Sequence, residues 1–292
     1  MSDTSEGIDS KAVRQRLGGT AALGGSTVHR MGYGALQLAG PGVFGPPRDR
    51  DEALRVLRRA VELGVDHIDT SEYYGPGVVN ELIREALHPY DGIALVSKVG
   101  ARRDHKGGWH AWSRPEDLRQ GIEDNLRTLG VEQLAAVNLR MMEEPGLGGL
   151  EGRLGAMVQA QEDGLIAGVG ISNVSIEQLE FCLARAEIVC VQNPYSYVDR
   201  SSQPVLDACT ERGIAFVPFF PLGSGFGVAD VRGNPAVIAA ADRLAVRPAQ
   251  VALAWTMAQS PAVLLIPGTS SVAHLEDNVA AAALRLEPDV LG

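Results

Sequence analysis

Cysteine is scarce: the 292 residues hold three, Cys182, Cys190 and Cys209. An odd number without CxxC spacing argues against a disulfide framework and against a zinc site, and leaves buried free thiols as the expectation. No apolar run approaches the ~18 residues of a membrane span, and the first ten residues are polar and acidic. Neither a span nor a signal peptide is expected, which predicts a cytoplasmic protein. Basic residues are in deficit, 26 against 36 acidic, for a net charge of −10. That balance disfavours nucleic acid or an anionic membrane surface as partner, while leaving room for a local basic pocket around a phosphate. Metal-ligand spacing is absent too. His29, His88, His105 and His110 stand apart from one another, and His67 lies inside an apolar strand, where a core role is expected. The dinucleotide fingerprint G-x-G-x-x-G is also missing. After the first strand the chain reads Gly32-Tyr-Gly34-Ala-Leu-Gln37, and Gly223-Ser-Gly225-Phe-Gly227 has the wrong final spacing.

What is present is a regular alternation of strand and helix. Residues 1–15 read as a disordered tail, and residues 20–29 as a hairpin turning at Gly24-Gly25. A strand is expected over 31–35 and a Pro- and Gly-rich loop over 39–47. The helix that follows, 51–63, has apolar residues at Leu54, Leu57, Ala60 and Val61 and stops at Gly64. The unit then recurs, with strands at 65–68, 93–97, 134–139, 166–171, 188–192, 214–218 and 263–266. The helices between them fall at about 78–88, 115–129, 151–163, 175–184, 201–212, 234–244 and 248–258, with a last one at 271–282. Trp109 and Trp112 fall in a loop. With 45% apolar residues and no composition break to mark a linker, residues 16–292 are predicted to form a single α/β domain, a (β/α)8 TIM barrel with an N-terminal β-hairpin.

Chemistry concentrates in the stretch from Asp66 to Gly75. A short apolar strand ends at Asp69, and Tyr74 follows five residues later in a loop closed by Gly75-Pro-Gly77. By itself Asp-Thr-Ser is also an ordinary turn cap. Lys98, at the end of the next apolar strand, changes the balance, because a cation at the end of a buried run is costly unless it is paired or used. On neighbouring parallel strands, Asp69 and Lys98 would emerge at one edge. The ammonium would then favour the phenolate of Tyr74, whose free pKa of about 10 makes it a poor acid near neutrality.

From about Gly32 to Val290 these residues match, position by position, the Asp, Tyr and Lys pattern of the aldo-keto reductases, which the chain resembles. The stretches 31–48, 137–140 and 266–274 are similar to a narrower branch that includes pyridoxal reductases. The resemblance implies a barrel whose floor is plugged by the hairpin, and NADPH-dependent reduction of an aldehyde or ketone, with pyridoxal favoured. It implies catalytic roles for Tyr74, Lys98 and Asp69. Arg140 stands where the family usually has His; it cannot release a proton near neutrality but can polarise an oxyanion. For the cofactor the resemblance implies Gly34, Ala35 and Gln37 after the first strand, then Ser172, Asn173 and Gln192 at the nicotinamide carboxamide. It implies Phe219 beneath the ring, with Pro221, Leu222 and Ser224 beside the pyrophosphate. Gly268, Thr269, Ser270, His274, Asp277 and Asn278 fall at the adenosine end. Gly268 replaces the usual Lys and His274 the usual Arg, so only a modest NADPH preference is expected.

Phe44, Tyr73, Trp109 and Trp112 lie in loops at the catalytic face, where aromatics commonly line a planar-substrate pocket. A monomer or weak homo-oligomer is expected. Two other readings fit the same residues. One is a barrel lyase or isomerase using Lys98 as a Schiff-base amine. The other is a nicotinamide-binding sensor or auxiliary subunit without useful turnover.

Overall fold

Short runs of Val, Ile, Leu and Ala recur along the chain, the pattern of strands buried on both faces. Such runs lie in or beside the parallel strands β3 (Tyr33–Gly34), β4 (His67–Asp69), β5 (Ala94–Arg103), β7 (Ala136–Arg140), β8 (Val169–Ser172), β9 (Ile188–Gln192) and β10 (Ala215–Phe216). In this computed structural model they pair in parallel in the order β10-β9-β8-β7-β5-β4-β3. The structure describes residues 17–142, 147–223, 230–287 and Leu291. The tail expected at 1–15 and the cofactor residue Ser224 lie outside them.

The eighth stave, expected as a strand at 263–266, is reduced to two single bridges, Phe216 to Val263 and Met31 to Leu265. They suffice to close the barrel. Leu264 N–H donates to Phe216 O at 2.9 Å, and Gly32 N–H donates to Leu265 O at 2.8 Å. The ladder stops there because Pro267 has no N–H to give, and the first stave bends into a 3-10 turn at Ala35–Leu38.

The lumen core contains Val96, Ala136, Cys190, Ala215 and Leu264. Leu23 and Val28 from the hairpin, β1 (Thr20–Leu23) and β2 (Ser26–His29), join the same cluster and form the floor. Outside the staves pack the helices. The first of them, α1 (Arg50–Glu62), is capped by Asp49, which accepts from Glu52 N–H, and it buries Leu54, Val56 and Leu57. The helix Pro115–Leu129 starts as expected, at the proline. The helix expected at 151–163 begins earlier, at Leu147–Glu162. Burial of Leu150, Leu154 and Met157 on its inner face outweighs the poor propensity of its glycines. Among the described residues no helix is long and apolar enough to cross a membrane.

The clearest departure concerns Trp109 and Trp112. They lie in a strand, β6 (Trp109–Trp112), paired antiparallel with the outer half of β5 from Gly100–Trp112 to Arg103–Trp109. β5 therefore runs six residues past its expected end at 97. It leaves the barrel wall at Gly100, whose φ of +105° admits the close approach of Arg140 O. Asp104 builds the hairpin turn, its carboxylate accepting from Lys106 and Gly108 N–H, each at 2.8 Å.

Arg30 secures the closing seam. Its guanidinium donates to Val263 O at 3.0 Å, Ser260 O at 2.6 Å and Met257 O at 2.5 Å. Charge-assisted bonds of this kind are the strong ones, so Arg30→Ala should lower the unfolding free energy by about 3 kcal/mol. Urea denaturation checks this, and a loss under about 1 kcal/mol would mean that the seam holds without it.

Candidate active site

Strand register decides which side chains share the lumen mouth. Asp69 lies opposite Val96, Lys98 opposite Asn138, and Arg140 opposite Ser172, which in turn faces Gln192. Barrel shear then brings Asp69 within reach of both neighbouring rows. Lys98 Nζ donates to Asp69 Oδ1 at 2.5 Å and to Thr70 O at 3.0 Å, and Gln192 Nε2 donates to Asp69 Oδ2 at 2.8 Å. Both charges are almost fully enclosed, Asp69 at 4% and Lys98 at 3% exposure. Past Asp69 the chain turns back, Tyr74 N–H donating to Ser71 O, so that Lys98 Nζ lies 5.1 Å from the Tyr74 ring centroid. The four residues predicted to carry the chemistry, Asp69, Tyr74, Lys98 and Arg140, face one groove.

The expected tuning of Tyr74 runs the other way. Its pKa is raised above the ordinary 10.0, first by burial and then by the charge of Asp69, and only Arg140 pulls it down. Lys98 sits over the ring face and is matched by the Asp69 carboxylate, so the cation opposing the shift is Arg140. The phenol consequently keeps its proton throughout the neutral range. Burial likewise raises Tyr73 to about 12, with Arg140 again acting to lower it.

Gly34, Gln37, Gln192, Phe219, Pro221 and Leu222 line the same groove. Gln192 Oε1 has no hydrogen-bond partner there, nor does the buried Ser172 Oγ on the neighbouring strand, which suits both to the donors of a carboxamide. Gly34 and Gly268 press together. A Cβ on Gly268 would meet Gly34 O at 2.6 Å, and one on Gly34 would meet Ile266 O at 2.4 Å. A side chain at 268 would therefore require the backbone around Gly34 to shift. Three of the residues expected at the cofactor sit differently. Ala35 is buried in the core, Ser270 lines a separate cleft with Arg48 and Asp49, and Asn173 directs its Nδ2 to Met141 O at 2.9 Å.

At the far end of the groove, Gly268, Thr269, His274, Asp277 and Asn278 line one pocket together, and two cations that sequence reasoning missed line it with them. Arg247, the residue before the helix Pro248–Ala258, lies 3.0 Å from Asp277 Oδ2. Arg232 pairs with Asp230 at 2.8 Å. Two arginines flanking helix starts were the available signal. The pocket therefore carries two guanidinium groups, at 232 and 247, although 268 and 274 hold no Lys or Arg.

A second pocket opens beside Tyr74 and Arg140, walled by Leu36, Tyr73, Trp109, Met142 and Phe220. Trp109 thus reaches it, whereas Trp112 turns outward, its ring edge 3.6 Å from where a Cβ on Gly121 of the helix 115–129 would be. Phe44 stands behind the wall, under the Arg103 guanidinium at 5.4 Å. Sequence reasoning missed Met142 and Phe220. Among the described residues no cluster of His, Cys, Asp and Glu could hold a metal ion.

The model of the Aldo/keto reductase family matches residues 30–292. The chain belongs to that family. It is 49% identical to a pyridoxine 4-dehydrogenase of Escherichia coli, over 93% of this chain and 96% of that protein. This aldo/keto reductase therefore falls in the pyridoxal reductase-like branch and is an NAD(P)H-dependent oxidoreductase. Among solved structures, a thermostable aldo-keto reductase in complex with the inhibitor epalrestat superposes with a TM-score of 0.78 at 26% identity, covering 93% of this chain and 97% of that one. An aldo/keto reductase from Klebsiella pneumoniae in complex with NADP and acetate gives 0.77 at 24%, covering 93% and 92%.

Burial makes the Asp69–Lys98 pair sensitive to the loss of one partner. Asp69→Asn should cost about 3 kcal/mol of stability, because it strands an ammonium in the lumen. The double variant Asp69→Asn, Lys98→Met, which strands nothing, should recover most of that loss in urea unfolding. A double variant less stable than the single one would refute the argument.

Proposed function

We propose that this aldo/keto reductase uses NADPH to reduce the aldehyde of a flat aromatic substrate, of which pyridoxal is the favoured example, to the primary alcohol. The observation that carries the reading is the convergence of Tyr74, Lys98 and Arg140 between a glycine-floored groove and an aromatic-walled pocket. The likeness to a pyridoxine 4-dehydrogenase supports the substrate class.

The orphaned Ser172 Oγ and Gln192 Oε1 and the tight floor at Gly34 and Gly268 fit a nicotinamide dinucleotide. That cofactor, when bound, supplies the hydride. Ser172 and Gln192 would hold the carboxamide, the Phe219 face would lie under the ring, and Arg232 and Arg247 would take the 2′-phosphate. Tyr74, kept protonated by burial and by Asp69, donates its proton to the carbonyl oxygen. Lys98 and Asp69 hold each other in place beside the phenol. The planar fork of Arg140 can bridge the carbonyl oxygen and an ortho-phenolate. The Schiff-base reading is disfavoured because Lys98 Nζ is engaged by Asp69 and Thr70 O beneath the Tyr74 ring.

Two measurements test the reading. Tyr74→Phe removes the donor alone, so NADPH-linked reduction of pyridoxal should fall by about 10²–10⁴-fold while NADPH binding holds. Full activity in the variant would move the proton source elsewhere.

The second concerns the cofactor. With Arg232 and Arg247 lining the pocket, the preference for NADPH over NADH should persist as the pH is raised through the neutral range. Replacing both arginines by alanine should weaken NADPH by one to two decades, the worth of roughly 1.5–3 kcal/mol, and leave NADH nearly unchanged. An equal loss for both cofactors, in a fluorescence titration, would exclude a phosphate-specific role.

A further inference from the structure

The arm made by the outer half of β5 and by β6 carries one residue that no part of the proposed chemistry uses. Arg103 is the last paired residue before the turn of this hairpin, opposite Trp109. Its guanidinium donates to Val43 O at 2.7 Å and to Gly42 O at 2.9 Å, both in the loop after the first stave. It also donates to Gly107 O, at 2.7 Å from Nη2 and 3.1 Å from Nε, within the arm's own turn. These bonds go to backbone carbonyls of two segments that the chain keeps 60 residues apart. The plane they fix lies over two aromatic rings, 4.0 Å from the Trp109 centroid and 5.4 Å from that of Phe44.

A continuous set of contacts runs inward from there. Trp109 meets Tyr73 edge to face with centroids 5.5 Å apart, and Tyr73 meets Tyr74 in the same way at 5.4 Å. Trp109 lines the pocket beside Tyr74, whereas Arg103 does not line it and stands behind the indole. The ring is therefore held from its rear, by a cation whose own position is set by the backbone. An ammonium could not replace it, since only a planar guanidinium can bond two separate segments and cover a ring at once.

We propose that Arg103 is a specificity-determining positioning residue. By locking Trp109 against the loop at 42–43, it makes the indole a fixed wall, and the pocket thereby favours flat aromatic carbonyl compounds over small aliphatic ones. A wall ordered before the substrate arrives removes an entropy cost that an aromatic ligand would otherwise meet on binding. A small aliphatic aldehyde, which needs only the groups around Tyr74, is indifferent to it. The inference rests on the aromatic-aldehyde reading of the site.

The test compares wild type, Arg103→Ala and Arg103→Lys on 4-nitrobenzaldehyde and on propionaldehyde, with NADPH titrated separately. For Arg103→Ala, KM for the aromatic aldehyde should rise about tenfold, with its kcat and all propionaldehyde constants within about twofold and NADPH binding intact. Arg103→Lys should recover little of the loss, because it restores the charge without the fork. A readout free of turnover accompanies this, the 19F spectrum of protein carrying 5-fluorotryptophan, with the Trp109 signal assigned through Trp109→Phe. In the free enzyme Arg103→Ala should shift and broaden the Trp109 signal and leave those of Trp112 and Trp255 in place. Equal loss on both aldehydes, full rescue by lysine, or an unmoved Trp109 signal would each overturn the proposal. Should the wild type reduce neither aldehyde, that failure belongs to the proposed function, and Arg103 stands or falls on the Trp109 signal alone.

Discussion

One carboxylate organises the mouth of this barrel. Asp69 sits almost wholly out of water, with Lys98 on one oxygen and Gln192 on the other. An unpaired charge in such a place would cost several kcal/mol, so each of the three side chains constrains the other two. Support reaches them from behind. Thr70, whose carbonyl takes a second bond from Lys98, has its hydroxyl donating to Asn80 Oδ1 at 2.8 Å. Asn80 donates to Asn125 Oδ1 at 3.0 Å, which also accepts from Ser97 Oγ at 2.6 Å. Two staves and two outer helices are thus joined through buried amides and hydroxyls that are mutually satisfied. Such a network is rigid, and it fixes the ammonium beside the phenol before any ligand arrives.

The same carboxylate gives Tyr74 its character. Burial and the negative charge of Asp69 both hold the proton on the phenol, and Arg140 is the group that opposes them. In the proposed reaction such a phenol is loaded at neutral pH, and a cation is needed when negative charge develops. Arg140 faces that point from the end of its own strand, where the family pattern usually has an imidazole.

Much of this could be read along the chain because it depends on local periodicity. Strand and helix spacing gave the barrel, and the strand ends gave Asp69, Lys98 and Arg140. What escaped depends on pairing across distance. The apolar alternation beyond Lys98 does not announce that the strand continues to Arg103, since its partner Trp109–Trp112 is recognisable only once the hairpin is closed. The eighth stave reads as a strand and is one by position, but closing geometry leaves it only single bridges. The sign of the Tyr74 shift followed from enclosure, a property of the whole lumen and of no single motif. Arg232 and Arg247 are ordinary surface residues in a linear reading and become pocket cations when the loop and the helix start meet.

Gly34 lies opposite Asp69 in the sheet, with its other side against Ile266 O and Gly268. Position 268 is therefore walled in by the stave that borders the Asp69 carboxylate. A cation introduced there would push on Gly34 and, through it, on the seam that closes the barrel. Positions 232 and 247 stand outside that seam, one in a short 3-10 turn and one before a helix. On the proposed reading of the groove, the cations for the nucleotide would stand on the rim, apart from the seam that borders Asp69.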